Sequence, residues 1–221
     1  MIENKSTFSK TGSRKEVLRE ILDKRNFDEL LRWVKTTVNP IRTLTSFQFD
    51  SDPLICMRAV EALGVAATIY ADDELERLRK MIRRLYWMMN DESGNVGWYA
   101  AEAIGETLRN VPILIPEYAR MLPPFLVEEP FEKGTRIAIA RVAEIDRSPF
   151  TIPTTKKLIQ TLNDPDPYIR GTSIIALKAL AVSNADEKVK SLSDDNTEIE
   201  LYDFKSGEMK KIIIADLARN F

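Results

Sequence analysis

The sequence predicts an all-α superhelix, a row of about five helix pairs, ending in a small C-terminal β-hairpin. Three observations predict it. A segment opening on Asp-x-Asp-Pro and closing on Ala-Leu occurs at 50–64 and again at 164–178. An amphipathic stretch precedes each copy. Strict apolar–polar alternation appears only near the C-terminus.

The two clear copies lie 114 residues apart, which leaves room for two more. Ala103-Ile104-Gly105 matches Ala62-Leu63-Gly64, and Ala138-Ile139-Ala140 matches it more loosely. From Ala62 to Ala103, Ala138 and Ala176 the steps are 41, 35 and 38 residues. A period of about 40 residues belongs to paired-helix solenoids.

Taken in chain order, Arg14–Lys24 and Phe27–Thr37 form a first helix pair, with Asn26 capping the second. An Asn side chain there accepts from free backbone N–H groups, and Asp28 and Glu29 suit the positive helix end. Ile41–Phe49 follows Pro40 and precedes the first copy. That copy starts at Asp52-Pro53, a cap followed by a proline where a missing N–H costs nothing. Its apolar stripe is Ile55, Ala59, Ala62, Leu63 and Ala66. Glu74–Met89 is the clearest amphipathic helix, with Leu75, Leu78, Ile82, Leu85 and Met89 on one stripe. It leads to the second copy, capped by Ser93, with Val96, Ala100, Ala103 and Ile104. Ile113–Leu122 leads to the third, with Phe131, Thr135, Ala138, Ile139 and Val142. Ile152–Leu162 leads to the fourth, capped by Asp166, with Ile169, Ser173, Ala176, Leu177 and Leu180. Gly171, Thr172 and Ser173 lower helix propensity there, so that helix depends on packing.

Residues 191–196 read as a loop, and 197–203 and 209–214 as two strands around a Phe204–Gly207 turn. The simplest register sets Glu200 opposite Lys211 and Ile199 opposite Ile212. The domain division is therefore a solenoid over 1–190 and a hairpin cap over 191–221 on the same body, since a solenoid must cover its last apolar face. The first dozen residues or so are polar and expected to be flexible. A short helix over 215–220 ends the pattern.

Composition narrows the chemistry. The chain has 221 residues, no histidine, one cysteine (Cys56) and a net charge of −2. Triads built on a histidine base lack that base, a closed zinc site lacks its ligands, and an internal disulfide has no second thiol. The near-neutral balance disfavours nucleic-acid binding through many phosphates. No apolar run is expected to span a membrane. No leader pattern is seen at the start, which points to the cytoplasm.

The Asp-Pro-Asp-Pro-x-Ile-Arg run at 164–170 and the Ala-Leu-Gly at 62–64 resemble HEAT-like repeats, most closely the type named after phycocyanobilin lyases. The Trp87–Trp98 segment and the Glu-Ile-Glu-Leu-Tyr strand are similar to a family of small prokaryotic HEAT-repeat proteins of unassigned activity. The resemblance implies a binding scaffold rather than a set chemistry. Two relatives on such folds are enzymes or enzyme subunits: bilin lyase subunits and an alkylpurine DNA glycosylase family.

Stacked second helices place equivalent positions side by side. Met57, Trp98, Lys133 and Gly171 form one ladder; Arg58, Tyr99, Gly134 and Thr172 the next; Glu61, Glu102, Ile137 and Ile175 a third. The candidate partner-binding set on the inner face is therefore Met57, Arg58, Glu61, Trp98, Tyr99 and Glu102. Trp, Tyr and Arg are favoured at binding hot spots. Trp98 either faces a partner or packs between repeats. Glu61 with Glu102 could act as a general acid–base pair, but no nucleophile accompanies them. The 90–95 loop lacks the ligand spacing of a calcium loop. The basic run Arg77, Arg79, Lys80, Arg83, Arg84 reads as a solvated helix face, and Cys56 as a packing residue. The sequence thus favours a non-catalytic scaffold binding a protein or peptide, without cofactor or metal. It leaves the partner and the oligomeric state open.

Overall fold

Helical propensity and proline placement set the elements of the computed structural model, which describes residues 12–90 and 97–221. The expected flexible N-terminus, the Ser93 cap, Val96 and most of the 90–95 loop lie outside the described residues. The helices are α1 (Arg14–Asp23), α2 (Phe27–Thr36), α3 (Pro40–Ser46), α4 (Pro53–Ala67), α5 (Leu75–Met88), α6 (Ala100–Asn110), α7 (Ile115–Tyr118), α8 (Glu132–Ala143), α9 (Ile152–Gln160), α10 (Pro167–Ala179) and α11 (Asp186–Lys190). Strands β1 (Glu198–Asp203) and β2 (Glu208–Ile213) follow, then α12 (Ile214–Arg219).

Caps start several of these helices where the sequence puts them. Asp52 accepts from the Leu54 N–H at 2.9 Å and Asp166 from the Tyr168 N–H at 2.8 Å, each just before a proline in the first turn. Asn26 accepts from the Glu29 N–H, and Ser13 and Glu16 close a capping box at α1.

The second helices α4, α6, α8 and α10 stack in a row, each against the next. The predicted stripes form the core: Ile55, Ala59, Leu63, Ala103, Ile104, Ala138, Ile139, Ala176 and Leu177 are buried. α6 and α8 run so close that a methyl at Gly105 would lie 2.5 Å from the Ala138 Cα. The first-helix row is less regular. In the third repeat the expected helix over 113–122 is instead one turn of α-helix between 3-10 turns, because Pro112, Pro116, Pro123 and Pro124 deny backbone donors to a longer one.

One sequence expectation needs correction. Pro53–Tyr70 is an 18-residue helical stretch with mean hydropathy 1.4, long and apolar enough to cross a membrane. It is a core helix of the fold: 72% of it is buried inside the protein.

The β1–β2 pair is antiparallel in the expected register, with Glu200 opposite Lys211 and Ile199 opposite Ile212. Ile199 and Leu201 are buried. The Ile199 side chain occupies the space a side chain at Gly171 would take, so the weak helix formers in α10 make room for the hairpin. The hairpin does more than cover the last repeat. Its tip reaches back to α1 and α4, where Arg25 donates to the Phe204 carbonyl at 2.7 Å, across 179 residues of chain.

Candidate functional site

The inner-face set divides in two. At the first repeat, Met57, Arg58 and Glu61 are buried. Their expected exposure is thus corrected, and the hairpin covers Arg58 and Glu61. The Arg58 guanidinium donates to the Gly207 carbonyl at 3.0 Å, to Glu208 at 2.6 Å, and to the Leu22 and Asp23 carbonyls at the end of α1. Glu61 accepts two bonds from Arg25, at 2.8 and 2.6 Å, and one from the Tyr202 hydroxyl at 2.6 Å.

This joint is conformationally demanding. Arg25 ends α1 with φ at 48°, a left-handed conformation uncommon outside glycine and asparagine. Its side chain lies against Gly207 in the hairpin turn, whose φ is 75°. A methyl at 207 would sit 2.1 Å from the Arg25 Cδ, so glycine is required there for both conformation and space. Burial and the bond to Glu61 hold the Tyr202 hydroxyl well above the ordinary tyrosine range.

At the second repeat the surface is open. Trp98 is 59% exposed and Tyr99 half-buried. With Glu102, Tyr168, Lys133 and Gln48 they line a pocket of about 570 Å³. Trp98 therefore does not pack between repeats. Glu102 is 7% exposed, and its carboxylate lies against Gly134, where any side chain would overlap it. Its Oε2 has no hydrogen-bond partner, and neither polar atom of the buried Gln48 side chain has one. Burial pushes the Glu102 carboxyl up to about 7. The Lys133 ammonium sits 2.6 Å from Asp166 and 5.6 Å from the Tyr168 ring centre. Burial also raises Tyr99, to about 12.

Glu61 and Glu102 thus occupy unlike environments, one enclosed by a cation and a phenol, the other open to a pocket. Cys56 is buried, and burial raises its thiol to about 11. Tyr168, Gln48 and Glu132 were not singled out from sequence. Tyr168 had a signal: it follows the Asp-Pro cap where the first copy has Leu54.

The basic run of α5 is largely paired: Arg79 with Glu117 at 2.6 Å, Arg77 with Glu74, Arg83 with Glu76. Lys80 and Arg84 line a second groove with Arg42 and the exposed Trp87. Among the described residues, no group of three or more Asp, Glu, Cys or His side chains is placed to hold a metal ion.

The fold and this geometry define an α-solenoid repeat architecture with a two-stranded clasp. A designed armadillo repeat protein matches it with a TM-score of 0.54 at 15% identity, covering 96% of this chain and 93% of that one. The crystal structure of an engineered protein matches at the same TM-score and identity, over 95% and 90%. An uncharacterised protein of Archaeoglobus fulgidus is 28% identical over 178 residues, 79% of this chain and 91% of that protein. No family model matches the sequence.

Proposed function

We propose that this protein is a non-catalytic scaffold that receives a protein or peptide segment on its inner face, at the pocket beside Trp98. One observation carries the reading: an exposed tryptophan stands over a pocket where the buried Glu102 Oε2 and the buried Gln48 amide have no hydrogen-bond partner among the described residues. Exposed aromatic anchors beside buried polar groups are what binding hot spots are made of. The repeat fold presents a continuous surface suited to an extended ligand. Neither a cofactor nor a metal is part of this reading, and a cytoplasmic setting remains its expectation.

The reading is tested by selecting displayed random peptides on the wild-type protein and measuring their affinity for Trp98→Ala. Loss of about tenfold or more on the variant is expected, the usual effect of truncating an aromatic anchor. Peptides that bind both proteins equally would place recognition elsewhere.

A second reading, an enzyme or enzyme subunit, is favoured by one observation alone: Glu102 at about 7 falls in the range of a general acid or base. Turnover lost in Glu102→Gln, with peptide binding kept, would support it.

A further inference from the structure

Among the described residues the buried carboxylates are Glu61, Glu102 and Glu106, all on the stacked second helices. Two of them already show what such a carboxylate takes here. Glu61 holds the Arg25 guanidinium at 2.6 and 2.8 Å. Glu106 holds the Arg141 guanidinium at 2.8 and 3.1 Å. Glu102 occupies the position equivalent to Glu61 one repeat later, yet its Oε2 has no hydrogen-bond partner among the described residues.

The charged groups around it do not fill that role. Lys133, on α8, is engaged with Asp166 at the start of α10. Asp50, before α4, is engaged with Arg19 at 2.9 Å. Glu132 contributes a second buried carboxylate oxygen without a partner. The remaining walls are the rings of Trp98, Tyr99 and Tyr168 and the unpartnered Gln48 amide. The pocket is therefore acidic and aromatic. A planar guanidinium can stack on a ring face while several N–H groups donate to carboxylate and amide oxygens, which a point-charge ammonium does less well.

We propose that the Glu102 pocket takes the guanidinium of an arginine side chain carried by the partner polypeptide. Glu102 would supply the counter-charge, the exposed Trp98 the aromatic face, and Gln48 a neutral acceptor. The inference rests on the inner-face reading above and adds the chemistry that is read there. A bound cation favours the ionised carboxylate, so binding should strengthen as pH rises from about 6 to about 8, through the range where Glu102 titrates.

The test uses the peptides whose binding depends on Trp98. Each arginine is replaced by citrulline, a neutral analogue of nearly the same shape, and both peptides are titrated against the full-length wild type and Glu102→Gln. A folded variant is verified by its circular dichroism and thermal melt. The expected result is a loss of about tenfold or more for citrulline on the wild type, with little or no loss on Glu102→Gln. Should Glu102→Gln fail to fold, the citrulline loss and its growth with pH on the wild type decide instead. Trp98-dependent peptides insensitive to citrulline would overturn this inference and leave the inner-face reading standing. If no peptide depends on Trp98, the inner-face reading fails and agmatine, a free guanidine compound, is titrated. Binding of agmatine that requires Glu102 would then overturn the polypeptide source, and no binding would overturn the site.

Discussion

Replacing Gly105 by alanine puts a methyl where the second helices of adjacent repeats touch. That methyl would lie 2.5 Å from the Ala138 Cα, 2.7 Å from its Cβ and 3.0 Å from its carbonyl oxygen. Non-bonded carbons settle at about 3.5–4.0 Å, so α8 must retreat by roughly 1 Å. The Cα and carbonyl are backbone atoms, so no rotamer change can relieve the contact. Overpacking of this kind costs about 1–3 kcal/mol, occasionally more. Alanine recovers about 1 kcal/mol through its better helix propensity. Because the obstacle is backbone, the upper part of the range applies and the net loss should be about 2 kcal/mol. For a chain of this size that lowers Tm by about 4–8 °C. Thermal melts followed by far-UV circular dichroism measure it directly. A variant melting at or above the wild-type temperature would show that the inter-helix contact does not limit stability.

Other perturbations probe the joint and the pocket. Tyr202→Phe removes a charge-assisted bond from buried Glu61 and should cost about 1.5–3 kcal/mol in urea denaturation; an unchanged midpoint would deny the clasp a structural role. Burial raises the Glu102 carboxyl from an ordinary 4.5 to about 7, so the folded chain holds more protons than the unfolded one between those values and stability falls as pH rises through about 7. Glu102→Gln should therefore melt higher than wild type at about pH 8, by at most about 3 kcal/mol of stability, and nearly equally at about pH 4.5; a variant less stable at the higher pH would contradict this. Cys56, raised to about 11 and buried, should react with a thiol reagent at about pH 8 roughly 200-fold more slowly than free cysteine until the protein is denatured; rapid labelling of the folded chain would mean that α4 opens locally.

Much of the architecture could be read locally. A cap at Asp52 or Asp166 and the proline after it lie within a few residues of each other, and the stripes follow the helical period. The ladder arithmetic sets Trp98, Tyr99 and Glu102 near one another, and the three line one pocket. It misjudged Arg58 and Glu61 because their cover arrives from Tyr202, Gly207 and Glu208, whose placement no local pattern encodes. The third repeat's leading helix was misjudged for a simpler reason: four prolines outweighed its apolar spacing. Gln48 gives no signal at all, since a glutamine between Phe47 and Phe49 reads equally well as surface.

The clasp also imposes an order of assembly. Repeats of an open array can settle one after another as they leave the ribosome, each needing only its neighbour. Arg58 and Glu61 are completed later: their α1-side partners precede them, but Gly207, Glu208 and Tyr202 lie 149, 150 and 141 residues downstream. At about 5–20 residues per second, a nascent chain waits roughly 7–30 seconds between making α4 and making the turn that covers it. The repeat synthesised early is thus the one completed late, and during that interval Arg58 lacks its carboxylate partner and Glu61 its phenol.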